Sequence, residues 1–218
     1  MNPEVLRVIA QLNKKLGDGT VVLASTAKTP DRITTGSLTL DVVLGGGWPV
    51  NQWTEIIGEA SHGKTAIALK TIAANQEKNP DFVTVWIAAE PFDAGYATLC
   101  GVDTERVLLV ETNIMEEAYE AAIQFCESKG VDLLVIDSLP ALVPSTEDEK
   151  TMDESTVGRG ALLTNKFFRK VGKATKRMLD GSERGITCLI INQFRMKIGV
   201  MHGDPRTTPG GLGKDYAM

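Results

Sequence analysis

A chain of 218 residues with 43% hydrophobic and 23% charged residues has the composition of a globular protein with one substantial core. It has no apolar run of about 18 residues and its N-terminus is charged, so we expect neither a transmembrane helix nor a secretion signal. The net charge of −5 excludes a surface covered in basic residues but allows a local basic patch. The 3 cysteines lack C-x-x-C spacing, which favours reduced thiols in a cytoplasmic protein over disulfides or a zinc site.

The N-terminal region, residues 1–32, is predicted to contain one helix, a possible short strand and a polar linker. Apolar residues recur at helical spacing along one stripe of Pro3–Leu16, which predicts an amphipathic helix. Residues 20–24 are a candidate for the short strand. The apolar stripe could pack on its own domain or dock on a neighbouring subunit, and the pattern alone favours its own domain.

Residues 33–218 alternate apolar runs with helical patterns, which predicts an α/β fold with a largely parallel central sheet flanked by helices. Residues 143–157 and 195–213 have no clear period, and unstructured segments of that length are typically functional or disordered. The predicted strands are residues 53–57, 83–88, 107–110, 133–136 and 187–191, and the predicted helices are residues 64–76, 115–128 and 160–179.

A phosphate loop, residues 58–65, follows the first of these strands and precedes the first helix. Its sequence fits G-x-x-x-x-G-K-[ST], whose backbone N–H groups surround nucleotide phosphates at a helix N-terminus. Lys64 would bring its charge to the phosphates and Thr65 its hydroxyl to Mg²⁺. A chance match in a glycine-rich turn is the alternative, and the strand and helix on either side disfavour it. The loop consists of Gly58, Glu59, Ala60, Ser61, His62, Gly63, Lys64 and Thr65.

Polar residues end three further buried strands. Asp137 could organise Mg²⁺ or cap a turn, and the upstream phosphate loop favours the metal role. Glu90 could polarise an attacking water or be a surface carboxylate, and its position alone leaves both open. Asn192 and Gln193 could sense a γ-phosphate or an attacking water through their amides, or simply satisfy buried backbone groups.

Two segments carry cations in a pattern that would suit nucleic acid. Residues 159–177 contain seven basic residues and no acidic one, which could neutralise phosphates or could form a solvated helix face. Residues 195–202 mix basic with apolar side chains, which could stack between bases or could pack on the protein's own core. Neither segment alone establishes nucleic-acid binding.

Three stretches closely resemble the RecA family of homologous-recombination ATPases, which includes phage versions: residues 33–41, the phosphate loop and residues 192–201. The resemblance extends over the whole chain. It implies a RecA-type P-loop NTPase core over residues 33–218, with ATP and Mg²⁺ bound between adjacent subunits. It also implies a helical filament on single-stranded DNA that then pairs with homologous duplex DNA.

The resemblance implies roles for residues at the nucleotide site. Glu90 resembles the family's catalytic glutamate, and Gln193 resembles the amide that senses the γ-phosphate and signals to the segment after it. Asp93 and Tyr96 resemble a pair that contacts adenine, although their spacing from Glu90 is one residue shorter than is usual. The residues that resemble the phosphate lysine and the Mg²⁺ ligands are Lys64, Thr65 and Asp137.

The resemblance also implies two DNA-binding segments and an oligomerisation element. Residues 154–160 resemble the first DNA-binding loop, with Val157 as an apolar wedge, and Arg169 resembles an arginine that contacts the DNA backbone. Residues 195–211 resemble the second loop, with Ile198 as its wedge. Residues 1–32 resemble the piece that docks on a neighbouring subunit, which reverses the preference drawn from the stripe alone. The implied DNA contacts of the second loop are Arg195, Met196, Lys197, Ile198, Gly199, Gly210 and Gly211.

This chain departs from the family's pattern at several positions. His62 replaces a small residue in the phosphate loop, and His202 stands where an aromatic residue is usual. The sequence ends at Met218 whereas the family continues with lysines that reach a neighbour's γ-phosphate, so we expect an incomplete sequence or a form without that contribution. The sequence thus predicts a cytoplasmic, filament-forming DNA-dependent ATPase with no membrane partner. Alternatives are a ring-helicase-type motor, a non-catalytic DNA-binding mediator and an inactive fragment.

Overall fold

The computed structural model describes residues 1–26, 29–145, 158–176, 185–196, 204 and 206–215. The chain divides into two compact units, Met1–Asp31 and Arg32–Met218. In the first unit, helix α1 (Pro3–Leu16) has the predicted bounds, and the side chain of Asn2 caps it by accepting a 2.9 Å hydrogen bond from the backbone N–H of Glu4. No residue of α1 is buried, and its apolar stripe is exposed except for Ile9, which is partly covered.

The short strand predicted over residues 20–24 is wrong. A 3₁₀ turn occupies Ala24–Thr26, and the preceding residues pair with no other strand in the described part of the chain. The side chain of Asn13 explains this, because its amide bonds both the N–H and the carbonyl of Val21, at 2.7 and 3.1 Å. A side chain therefore satisfies the backbone groups that a strand partner would otherwise bind.

A parallel sheet of five strands forms the centre of the second unit, with the strand order β3-β7-β6-β4-β5. This confirms the predicted α/β fold, with strand ends shifted by one or two residues. Every residue of β4 and β6 is buried, as expected for strands covered on both faces. The strands are β3 (Trp53–Gly58), β4 (Thr84–Ala88), β5 (Val107–Glu111), β6 (Leu133–Asp137) and β7 (Thr187–Gln193).

Two small antiparallel pairs lie outside this sheet. One joins β1 (Arg32–Ile33) to β2 (Trp48–Pro49), and the other joins β8 (Arg195–Met196) to β9 (Arg206–Thr207). The second pair corrects the expectation that residues 195–213 have no regular structure, since two-residue strands are too short to show a period.

In the second unit, three helices confirm the predicted ones over the described residues, which exclude 177–179, and three shorter helices were not predicted. None of the described helices has the length and apolar character needed to cross a bilayer. The predicted helices are α3 (Lys64–Lys78), α5 (Met115–Ser128) and α6 (Arg159–Lys176), and the others are α2 (Leu38–Val43), α4 (Ala94–Leu99) and α7 (Leu212–Asp215).

Apolar side chains cover both faces of the sheet. On one face, the rings of Phe167 and Phe168 meet the Trp53 ring edge-on at centroid distances of 5.1 and 5.7 Å, which fixes α6 against β3. On the other face, Leu69 and Ile72 of α3 pack into a cluster that contains Trp86. The three cysteines, Cys100, Cys126 and Cys188, are buried free thiols.

The carboxyl ends of the parallel strands all meet at one edge of the sheet. Gly58 at the end of β3 pairs in register with Gln193 at the end of β7, and Ala88 of β4 pairs with Asp137 of β6. Ligands of open α/β sheets bind at this edge. The fold therefore brings together motifs that are up to 135 residues apart in the chain, as between Gly58 and Gln193.

Candidate functional site

A cavity of about 340 Å³ lies at the carboxyl edge of the sheet, within the usual size range of small-molecule sites. Most of its lining consists of residues that the sequence singled out. Four residues expected at the nucleotide, Gly58, Glu59, Ala60 and Asp93, are not part of the lining, and Ala66 and Ile191 were not expected. The lining comprises Ser61, His62, Gly63, Lys64, Thr65, Ala66, Glu90, Tyr96, Asp137, Ile191 and Gln193.

The N-terminus of α3 forms one wall of this cavity. Gly63 stands at the N-cap with φ of 80°, a conformation that glycine adopts without strain, and no side chain caps the helix there. The first N–H groups of a helix have no partner within the helix and carry partial positive charge. An uncapped N-terminus of a 15-residue helix that lines a cavity is therefore suited to binding a phosphate.

Lys64 supplies the positive charge at this wall. Its side chain is almost fully buried, and its Nζ donates to the carbonyl oxygens of Gly58 at 3.2 Å and Glu59 at 2.6 Å. Hydrogen bonds to an anion are stronger than those to neutral carbonyls. A phosphate in the cavity would accordingly attract the ammonium away from the loop, so the arrangement fits a nucleotide.

Thr65 and Asp137 meet beside Lys64. The Thr65 hydroxyl donates to Asp137 Oδ2 at 2.9 Å, and Asp137 is buried. Burial, together with the nearby negative charge of Glu90, raises the pKa of Asp137 to about 6 despite the opposing effects of Thr65 and Lys64. A carboxyl that resists ionisation for these reasons would gain from a bound cation.

The oxygen ligands at Thr65 and Asp137 are of the type that Mg²⁺ prefers. In the described part of the chain, no group of three or more His, Cys, Asp or Glu residues could hold a metal ion without help. Mg²⁺ at phosphate sites is commonly held by one or two protein oxygens, substrate phosphates and water. The residues thus fit a Mg²⁺ ion that arrives with a nucleotide.

Glu90 lines the cavity and is exposed, two residues after β4 ends. The hydroxyl of buried Ser138 donates a short hydrogen bond to its Oε1. The backbone N–H groups of Ala89 and Glu90 both donate to the carbonyl of Asp137 at 3.0 Å. These bonds tie the end of β4 to the end of β6 and hold the Glu90 carboxylate, which suits a general base.

The two amides at the end of β7 lie in different places. Gln193 lines the cavity, whereas Asn192 is fully buried behind it. The Asn192 side chain donates to Glu55 Oε1 at 2.5 Å and to the carbonyl of Pro209 at 3.1 Å, and its Oδ1 accepts the Gln193 N–H at 2.8 Å. Gln193 therefore faces the cavity, while Asn192 satisfies buried groups.

The residues expected at adenine are divided. Tyr96 lines the cavity with 44% of its surface exposed, which leaves a ring face available for stacking. The Asp93 carboxylate instead caps α4, because its Oδ1 accepts the Tyr96 N–H at 2.9 Å. Asp93 thus positions Tyr96 through the helix N-terminus.

A basic stripe runs along the exposed face of α6. The inner face of α6 contains the buried rings of Phe167 and Phe168 and the partly covered Ala161. The basic side chains and Leu162 are exposed. Arg169 Nε also donates to the Asn165 carbonyl at 3.3 Å. Val157, also expected at DNA, lies outside the described residues. We define the basic stripe as Arg159, Lys166, Arg169 and Lys170, all of them exposed.

The two described parts of the second expected DNA-binding segment pair with each other as antiparallel strands. In the β8–β9 pair, Arg195 lies opposite Thr207 and Met196 opposite Arg206. Arg195 and Met196 are exposed, with 69% of the Met196 surface accessible. The Arg206 guanidinium lies 5.3 Å from the Phe194 ring centroid, where a cation–π contact is favourable. Lys197, Ile198 and Gly199 are outside the described residues.

Gly210 and Gly211 place this segment against the start of α6. Both have positive φ, 103° and 70°, and a Cβ at Gly211 would approach the Cβ of Ala161 to 3.1 Å. Larger residues would therefore be strained here in both conformation and space. The close approach brings the second expected DNA-binding segment next to the helix that carries the basic stripe.

Comparison with known proteins identifies the family. The chain matches the RecA N-terminal domain over residues 4–217. It is 42% identical over 207 residues to Protein RecA of Nocardia farcinica, covering 93% of this chain and 57% of that protein. It is 38% identical over 208 residues to Protein RecA of Synechococcus sp. strain CC9902, covering 94% and 53%. The match to Protein RecA of Thermosynechococcus vestitus is 38% over 213 residues, covering 96% and 58%.

The chain therefore spans somewhat more than half the length of these relatives. The family match covers nearly every residue of this chain and includes both the phosphate loop and the strands that end at the cavity. The resemblance drawn from the sequence is confirmed: the chain belongs to the RecA N-terminal domain family.

Proposed function

We propose that this chain forms the ATP-binding and DNA-binding core of a DNA recombinase, which assembles on single-stranded DNA and pairs it with homologous duplex. One observation carries the proposal. A single cavity is lined by Lys64, Thr65, Asp137, Glu90 and Gln193. The expected DNA-binding segment begins at Arg195, two residues after Gln193. The relatives named Protein RecA support the same conclusion.

In the proposed site, Lys64 leaves the carbonyls of Gly58 and Glu59 and binds phosphate oxygens. Thr65 and Asp137 would hold Mg²⁺ through a hydroxyl and a carboxylate, and Tyr96 would stack on the base. ATP supplies a terminal phosphoryl group that can be transferred to water. Because the pKa of Asp137 is about 6 without a cation, Mg²⁺ binding should release a proton from this carboxyl below about pH 6.

Glu90 is proposed to orient the attacking water and accept its proton. The Ser138 hydroxyl orients the Glu90 carboxylate by donating to its Oε1. Proton transfer to a positioned general base contributes about 10²–10⁴-fold to a rate. The loss of the γ-phosphate would then remove the partner of the Gln193 amide.

DNA is proposed to bind along the basic stripe of α6 and along the neighbouring residues 195–196 and 210–211. The basic stripe neutralises backbone phosphates, which favours binding through release of counterions. Exposed Met196 beside Arg195 offers an apolar surface for a base. Subunits would add head to tail through a heterologous contact that does not close, with the exposed apolar stripe of α1 as one contributing surface.

The experiment that tests this function measures phosphate release from ATP with and without single-stranded DNA. We expect DNA to stimulate release and Lys64→Ala to abolish it. Lys78→Ala, in the last turn of the same helix, is the matched control and should keep the wild-type rate. Electron micrographs of the same samples should show helical filaments only with ATP and DNA. Unchanged release by Lys64→Ala would refute the site, and closed rings would favour a helicase-type motor.

A further inference from the structure

A buried polar cluster of Glu55, Asn192 and Lys214 lies directly behind the nucleotide edge of the sheet. The side chains of Lys214 and Glu55 are 2% and 9% exposed, and Lys214 Nζ lies 2.8 Å from Glu55 Oε2. The other oxygen of Glu55 accepts the 2.5 Å hydrogen bond from Asn192. One carboxylate therefore binds a cation and an amide at the same time, and neither of these two groups touches the cavity.

The cluster joins three segments that the proposed function uses. Glu55 lies on β3, three residues before the phosphate loop begins. Asn192 immediately precedes Gln193 and accepts its backbone N–H at 2.8 Å. Lys214 lies on α7, three residues after Gly211. The same three segments contain the phosphate-binding loop, the residue expected to sense the γ-phosphate and one expected DNA contact.

A second bond reinforces the connection to the DNA side. The Asn192 amide also donates to the carbonyl of Pro209 at 3.1 Å, immediately before Gly210. Pro209 precedes the Gly210–Gly211 pair and is bound by Asn192, and Lys214 follows the pair. Both Asn192 and Lys214 bind Glu55, so the two glycines are anchored on both sides. A displacement of the Gln193 backbone would move Asn192, and the shift would reach Pro209 directly and Lys214 through Glu55.

Stability alone is a weak reason for such a cluster. Removing two charges from water is costly, and apolar residues of similar volume often replace a buried ion pair without loss of stability. A buried pair does, however, impose one specific arrangement, because either partner left alone is strongly unfavourable. Energetic coupling between two sites is carried by elements that have discrete arrangements. A buried ion pair that is either intact or broken is such an element.

We propose that Glu55, Asn192 and Lys214 are positioning residues that transmit nucleotide occupancy at Gln193 to the DNA-contacting residues Gly210 and Gly211. This inference rests on the proposed function, since it assumes nucleotide at Gln193 and DNA at the two glycines. It adds a physical path between them that lies wholly inside the described core.

The test compares single-stranded DNA affinity with and without a non-hydrolysable ATP analogue, and the ratio of the two affinities is the coupling. In the wild type we expect a coupling of about tenfold or more, within the usual range of 5–150-fold. Glu55→Gln keeps an acceptor for Asn192 but loses the ion pair, and Lys214→Met removes the cation. Each should reduce the coupling to less than about twofold, while affinity for the analogue changes by less than about threefold.

The double variant Glu55→Gln with Lys214→Met separates positioning from stability. It removes both charges of this ion pair together, so its melting temperature should recover toward the wild-type value while its coupling stays lost. Gln76→Met is the matched control, because it removes two partly buried hydrogen bonds to the backbone of Asp103 at the far end of α3. It should lower the melting temperature and leave the coupling unchanged.

The outcomes discriminate between the two proposals. Wild-type coupling that persists in the double variant would overturn the role of the cluster while leaving the proposed function intact. A wild-type coupling of one would overturn both. A measurement without variants is hydrogen exchange in the wild type: the analogue should slow exchange of the amides of α7, and unchanged exchange there would contradict the transmission.

Discussion

Replacing Asp137 by asparagine should stabilise the nucleotide-free protein although it destroys the proposed Mg²⁺ site. Burial, with the neighbouring Glu90 charge, raises the pKa of Asp137 from 3.8 to about 6. The folded state therefore holds this proton more tightly than the unfolded state. The contribution of Asp137 to stability is fully present below about pH 4, and it is lost as the pH rises through about 6.

The magnitude follows from the same shift. A change from 3.8 to about 6 corresponds to about 3 kcal/mol at 1.36 kcal/mol per pKa unit. Asparagine has nearly the same shape, can still accept the hydrogen bond of Thr65 and carries no charge to bury. At pH 7 the variant should accordingly unfold with a free energy up to about 3 kcal/mol larger, or a melting temperature roughly 6–12 °C higher for a domain of this size.

The assay is chemical unfolding of wild type and Asp137→Asn in parallel from pH 4 to pH 7.5. The difference between the two curves isolates Asp137, because several other carboxyls have lowered pKa values and lose their stabilisation as the pH falls. The difference should be small near pH 4 and reach its full value above pH 7. Adding Mg²⁺ and ATP should stabilise the wild type and not the variant.

Two results would refute this reasoning. A variant that is equally or less stable than the wild type at pH 7 would show that the charged carboxylate does not destabilise the nucleotide-free protein. A stability difference that does not vary with pH would show that titration of Asp137 is not its cause. Glu90→Gln is the matched control, since removing the neighbouring charge should reduce the pH-dependent difference.

Three further predictions concern turnover and DNA binding. Lys64→Met should lower affinity for ATP at least tenfold, measured by calorimetry, because methionine fills the space of Lys64 without its charge. Ser138→Ala should lower kcat about 10–100-fold with little change in KM, because it releases the Glu90 carboxylate; an unchanged kcat would remove Ser138 from the account. Arg169→Gln should weaken binding of all DNA sequences alike and reduce the slope of log affinity against log salt by about 1, whereas an unchanged slope would place Arg169 away from the phosphates.

The central sheet could be predicted from the sequence because its strands are continuous apolar runs between amphipathic helices. The short helices α2 and α4 could not, since six residues make fewer than two turns and show no stripe. Their signals were the capping residues Ser37 and Asp93, which accept hydrogen bonds from the first turn. Asp93 was instead assigned to adenine by resemblance, and its carboxylate caps α4 outside the cavity lining.

The candidate nucleotide site could be predicted from the sequence because its residues follow local rules. The phosphate loop has fixed spacing, and Asp137 and Gln193 mark strand ends that a parallel sheet must bring to one edge. The buried polar cluster could not be predicted in this way. Glu55 and Lys214 are 159 residues apart, and only the register of β3 beside β7 and the position of α7 bring them together. A lone glutamate within the apolar strand β3 was the available signal.

The central claim is that nucleotide in the cavity and DNA at residues 195–196, 210–211 and the basic stripe favour the same state of the chain. The most direct test is a closed thermodynamic cycle, in which affinity for an ATP analogue is measured with and without single-stranded DNA and affinity for DNA with and without the analogue. Each ligand should tighten the other by the same factor, about tenfold or more. A factor of one for both ligands would contradict the account.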